Sequence, residues 1–227
     1  GMSDDEDSAT VSIEALDTPV LIYVKGSISD EMVGQISAAF SQARDSKQET
    51  VVLDIHSPGG SCYSALAIQD IIQAWLSESD TRKLVTKTSM AFSSAFNLFL
   101  LGSTRVVTPR ATLMSHDVQG GVEGELAQLV TNLREYKRVN SIFDAQIRDS
   151  LGEDVALILC GQGDVYLSAS RAKELGIATH IGFARVSTDI QMTIVETAGV
   201  EGTAEDSTSN PPPPSAKRRK RRTNTNI

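Results

Sequence analysis

Aromatic residues are scarce: Phe, Tyr and Trp together make up 5% of the 227 residues, with a single Trp. Hydrophobic residues still reach 40%, so the expected core is aliphatic. The length suits one sizeable α/β domain with tails. Cysteine is rarer, only Cys62 and Cys160. Neither a CxxC nor a Cys/His pair at ligand spacing is present, which leaves no metal site and no disulfide framework. Two free thiols suit a reducing compartment. Long apolar runs are also missing. The longest, around Leu98–Leu101, is far short of the roughly 20 residues that span a bilayer. The start, GMSDDEDSA, lacks the basic, then apolar, order of a signal peptide. The expectation is a cytoplasmic chain with no membrane partner. A GxxxxGK[ST] loop is absent as well, which argues against a phosphate cradle of that type, and no cofactor is expected.

Charge is abundant and unevenly spread. The formal net charge is −8, yet residues 207–227 carry six Lys/Arg and no acid. Residues 1–206 therefore hold 15 basic against 29 acidic side chains. A body this acidic does not suit nucleic acid. The basic cluster KRRKRR, Lys217–Arg222, fits an acidic partner, nucleic acid, the acidic body itself, or no partner at all.

The remaining pattern divides the chain in three. Residues 1–15 are acidic and low in bulk, a disordered lead. Residues 16–186 alternate strand and helix signals. Residues 187–227 hold four consecutive prolines, the basic cluster and few apolar residues, a disordered tail with a stiff polyproline step. Within the middle segment PVLIYVK reads as a strand, and Ser29 caps a helix over ISDEMVGQISAAFSQARD. VVLDI is a buried strand, SALAIQDIIQAWL an amphipathic helix, and KLVTKT a strand. RVVT and TLMSH follow as two further strands. A long helix runs from Glu123 to about Ser150, with a short one near Val155–Leu159. SASRAKELG is a helix closed by Gly176, and ATHI is the last strand, near Phe183. The alternation means an α/β fold with a mainly parallel sheet.

Two strand-to-helix turns hold the candidate chemistry. SPGG, Ser57–Gly60, either cradles an anion on its amides or is an ordinary turn. SMAFSSAFNLF, Ser89–Phe99, carries Ser93 and Ser94, which read either as helix caps or as a nucleophile and its neighbour. A nucleophilic serine needs a base, an acid to orient the base, and amides for the oxyanion. Histidine is scarce too, so the base is one of His56, His116 and His180.

Four blocks in order, ISDEMVGQISAAF, DIHSPGGSCYSALAIQDII, SMAFSSAFNLFLLGSTRVVTPRATLMSHDVQGGVEGE and DVYLSASRAKELGI, resemble the ClpP family of serine peptidases from about Pro19 to Phe183. The resemblance implies a spiral of repeated β-β-α units, shared with crotonases, with a protruding handle helix from Glu123. Anchored on Gly102 and Pro109, it places the nucleophile at Ser93, the base at His116 and the acid at Asp164, within DVYLSA. The oxyanion amides would be those of Gly60 and Ser94. His56 stands where the family has Asn and is expected to be structural; His180 receives no role; Cys62 and Cys160 are expected to be small core residues. Ser89 replaces a family Gly, which would tighten or shift the turn. Phe92 replaces a small residue and would either crowd the specificity pocket or repack.

The resemblance further implies an endopeptidase acting on unfolded or peptide substrates inside stacked homo-oligomeric rings, served by an ATP-driven unfoldase. The basic tail also suits a capsid or scaffold maturation protease. The other readings are a weak or inactive ring subunit and a crotonase-fold acyl-CoA enzyme.

Overall fold

The structure is a computed structural model, and it describes residues 10–13, 20–186 and 192–200. The chain begins with β1 (Thr10–Ile13) and β2 (Val20–Lys25), then α1 (Asp30–Asp45), β3 (Thr50–Ser57), α2 (Cys62–Ser77) and β4 (Lys83–Phe92). Next come α3 (Ser94–Phe99), β5 (Thr104–Ser115), α4 (Leu126–Leu151), α5 (Glu153–Leu159) and β6 (Val165–Ser168). The last elements are α6 (Ala169–Glu174), β7 (His180–Val186) and β8 (Met192–Glu196). The strands form one sheet in the order β1-β8-β7-β5-β4-β3-β2, with β6 paired to β5 off that path. The pairs from β2 to β5, and β5 with β7, are parallel. This is the mixed, mostly parallel α/β fold expected.

Local chemistry accounts for most of these elements. Ser29 caps α1 by accepting from the Met32 amide, and the buried face of α1 repeats at helical spacing: Met32, Ile36, Phe40, Ala43. β3 is buried along Val51–Leu53: Val51 and Leu53 join the helix-packed core, and Val52 packs with Val85 and Leu21 of the neighbouring strands. Phe40 of α1 meets Trp75 of α2 edge-on, with centroids 5.5 Å apart. The single Trp thus packs in a core that also buries Phe40, Phe96 and Phe99, so the core is less purely aliphatic than expected. Arg105 clamps two helix ends, donating to the carbonyls of Gly102 and Gly176 at 2.8 and 2.9 Å.

Three expectations change. RVVT and TLMSH are one strand, β5, whose ladder to β4 runs over Thr104–Val107 and resumes at Thr112. The gap holds Pro109, which has no N–H to give a ladder. β4 bulges at Ser89, between the pairs of Thr88 and Met90. A bulge bends a strand, so the second halves of β4 and β5 turn together; β5 takes the place of two expected strands, and β4 runs on past the expected KLVTKT to Phe92. The lead and tail also differ at two points: Thr10–Ile13, placed in the lead, pairs antiparallel with Met192–Glu196, placed in the tail. Beyond β8 the Val200 amide donates to the Pro109 carbonyl at 2.7 Å. The rest of the lead and the tail beyond residue 200, including Lys217–Arg222, lie outside the described residues.

α4 is the long helix. Its C-terminal half buries Val139, Phe143 and Ile147. Its N-terminal half finds no core, leaving Leu126 77% and Leu133 51% exposed. No helix among the described residues is long and apolar enough to cross a membrane.

Candidate active site

Strand register brings the predicted residues together. Phe92, the last residue of β4, pairs with Met114 of parallel β5. Ser93 thus comes beside the end of β5, and its amide donates to the Met114 carbonyl at 2.8 Å. His116 is the next residue after β5. On the other side of β5, Ser115 pairs with Val165, the first residue of antiparallel β6, and Asp164, just before it, comes opposite His116. The three side chains form a row: Ser93 Oγ lies 2.6 Å from His116 Nε2, and His116 Nδ1 lies 3.2 Å from Asp164 Oδ1.

The serine sits on a strained turn. Ser93 has φ 57° and ψ −128°, a conformation an L-residue avoids at a cost of about 1–3 kcal/mol. Gly59, at φ +88°, passes so close that an added Cβ would lie 2.7 Å from the Phe92 carbonyl oxygen and 2.8 Å from Ser93 Cβ. SPGG is therefore more than an ordinary turn: it packs against the serine loop. Gly60 is wedged against Ile28, whose carbonyl oxygen would sit 2.3 Å from a Cβ there. Ile28 holds the neighbours of Gly60 on both sides, taking the Ser61 amide and donating to the Gly59 carbonyl. The Gly60 amide is left with no acceptor among the described residues. Ser94 opens α3, so its amide has no intrahelical acceptor either. Gly60, Ser93, Ser94 and His116 all line one cavity of about 430 Å³, with Asn97, Val118 and Phe143 at its wall.

The remaining candidates lie elsewhere or do other work. His56 is exposed, and its Nδ1 sits 2.9 Å from Ser89 Oγ; two unusual residues thus pair at the bulge, away from the cavity. His180 contacts Thr179 Oγ1 at 2.8 Å and is not at the cavity. Phe92 has repacked: it meets Tyr166 edge-on with centroids 5.8 Å apart and does not line the cavity. Cys62 is half-buried: it packs against the edge of the core and also lines the cavity. Cys160 is half-buried, and burial with the neighbouring Asp144 carboxylate pushes its thiol up to about 12, which keeps it protonated and unreactive. The described residues contain no group of three or more His, Cys, Asp or Glu that could hold a metal.

Sequence reading missed the residues that brace the row. Asn140 on α4 accepts from the Val118 amide at 2.8 Å and donates to Asp117 and Asp144. Asp117 in turn accepts from the Gly161 amide at 3.2 Å. The segment after His116 and the loop before Asp164 are thereby tied to one helix. Gln119 donates to Asp164 Oδ1 at 3.4 Å. The only signal for these was the placement of Asp117 directly after His116, and Asn140 carried none.

A serine on a strained strand-to-helix turn, a histidine within hydrogen-bond reach and a carboxylate behind it are the parts of a serine hydrolase, here on a mostly parallel α/β sheet. The Clp protease family model matches residues 4–185. The ATP-dependent Clp protease proteolytic subunit of Ostreococcus tauri is 25% identical over 175 residues, covering 74% of this chain and 84% of that protein. The chain belongs to the Clp protease family, and it is a serine endopeptidase.

Proposed function

We propose that the chain hydrolyses peptide bonds of unfolded or peptide substrates through Ser93, His116 and Asp164. The observation that carries this is the 2.6 Å contact of Ser93 Oγ with His116 Nε2, within the range for a nucleophile and its base. His116 takes the serine proton as Ser93 attacks the carbonyl. The Gly60 and Ser94 amides receive the oxyanion. His116 then protonates the leaving amine, and Asp164 holds the imidazole by its Nδ1. Water repeats the cycle on the acyl-enzyme.

The exposed apolar residues of α4, Leu126, Val130 and Leu133, support assembly into closed homo-oligomeric rings that stack through this helix. An ATP-driven unfoldase as substrate supplier rests on the word ATP-dependent in the relative's name.

The test is fluorophosphonate labelling followed by peptide mapping. Wild type and Ser94→Ala are expected to label at Ser93, and Ser93→Ala not at all, with kcat falling by about 10⁴–10⁶ on an unstructured peptide. Label on Ser94, or full activity in Ser93→Ala, sinks the assignment. An unlabelled but assembled wild type would turn the reading to a non-catalytic ring subunit or an acyl-CoA enzyme.

A further inference from the structure

We propose that the cavity beside Ser93 selects an uncharged carboxamide side chain, of glutamine length, at the residue whose carbonyl is attacked. The inference rests on the peptidase reading above and adds the substrate class.

The cavity wall is unusually polar where it meets α3. Asn97 is only 7% exposed, yet it lines the cavity. Its orientation is set by a network. Gln146 Nε2 donates to the Asn97 backbone carbonyl at 2.8 Å, so Gln146 Oε1 must be the acceptor. That oxygen takes Gln69 Nε2 at 3.1 Å and Asn97 Nδ2 at 3.3 Å. Asn97 Nδ2 spends one of its two hydrogens there, and its second hydrogen and Oδ1 have no partner among the described residues. Ser94, 5% exposed, also lines the cavity. Its hydroxyl is buried and has no partner. Ser94 and Asn97 are three apart on one helix and so share a face.

The open Oδ1 and the second Nδ2 hydrogen of Asn97 match a group that offers both N–H and C=O. A carboxamide does this; an aliphatic side chain leaves both unpaired, a cost that polar sites use to reject such analogues. Length follows from the helix. Asn97 stands about one helical turn beyond Ser93, the N-cap of α3, so the longer of the two carboxamides, glutamine, is the one proposed. Charge is excluded as well: no Lys, Arg, Asp or Glu lines the cavity, so an ion entering it would lose water without gaining a counter-ion. Val118 and Phe143 supply the apolar contact for the methylene stem.

The test uses the assembled full chain and a fluorogenic peptide series that differs only at the residue before the cut: Gln, Asn, Leu, Glu and Lys. The wild type is expected to prefer Gln over Leu and Glu by about tenfold or more in kcat/KM. Asn97→Leu removes the acceptor, and Gln69 still satisfies Gln146; the Gln-to-Leu ratio is expected to fall about tenfold. Should that variant fold poorly, Asn97→Asp keeps the acceptor and adds a charge, shifting preference to Lys. Fluorophosphonate labelling of Ser93 runs alongside. Labelled protein that cuts best after Leu, or ratios unmoved in both variants, overturns the specificity while leaving the peptidase reading intact. Protein that neither labels nor cuts any peptide overturns both.

Discussion

Gly59→Ala tests how closely the two turns depend on each other. An alanine Cβ at Gly59 would stand 2.8 Å from Ser93 Cβ and 2.7 Å from the Phe92 carbonyl oxygen, against ordinary contact at 3.4 Å or more. The serine loop must therefore yield by about 0.6–0.7 Å. Backbone strain adds to this, because a left-handed φ costs an L-residue about 1–2 kcal/mol. For a chain of this size 1 kcal/mol corresponds to about 2–4 °C in Tm, so strain alone lowers Tm by about 2–8 °C. Displacing a nucleophile by a substantial part of 1 Å approaches the shift that costs about 10²-fold. The expected result is a 10- to 100-fold fall, roughly, in both peptide kcat/KM and the rate of fluorophosphonate labelling. Gly176→Ala is the control, since it has φ +73° with nothing within 4 Å. It is expected to lose comparable stability and keep the labelling rate. If Gly59→Ala loses stability but labels at the wild-type rate, the close approach does not set the serine, and the reasoning fails.

Two further outcomes are expected. Glu78 is held down to about 2 by hydrogen bonds from Arg44 and Arg82, below its ordinary 4.5. A depressed carboxylate contributes stability above the ordinary value and loses it as pH falls through the folded one. The Tm difference between wild type and Glu78→Gln is thus expected to be constant above about pH 5 and to shrink between about pH 4.5 and 2; a difference that grows on acidification refutes the pairing. Leu133→Glu places a charge on the exposed apolar face of α4, and native mass measurement is expected to show smaller species at equal concentration. An unchanged mass would remove α4 from the assembly interface.

Much of the fold was legible because its signals are local. A Ser cap, a helical stripe and a buried aliphatic run each act within a few residues, and α1, β3 and α2 were found from them. What was missed depends on distant pairing. The single strand β5 looked like two, because Pro109 interrupts a ladder that neighbours on both sides hold together. Thr10–Ile13 carries no signal for pairing with Met192–Glu196, at the opposite end of the chain. The positions of Ser93, His116 and Asp164 came from the family resemblance, since spacing alone left two serines and three histidines open. Phe92 shows the same limit: its partner, Tyr166, arrives on β6, and nothing near Phe92 in sequence decides between crowding and repacking. Asn97 was passed over because a polar residue in a short helix is unremarkable until the cavity beside it is seen.

The row of Ser93, His116 and Asp164 is drawn from three neighbouring strand ends, and the order of their arrival during synthesis follows from that. Serine and SPGG turns emerge first, the histidine next, and the carboxylate only with β6, after the whole of α4 has been made. A chain interrupted within α4 carries a serine and a histidine but no acid, and lacks the helix that braces the segment after His116. The three side chains of the row can therefore meet only after β6 has been made.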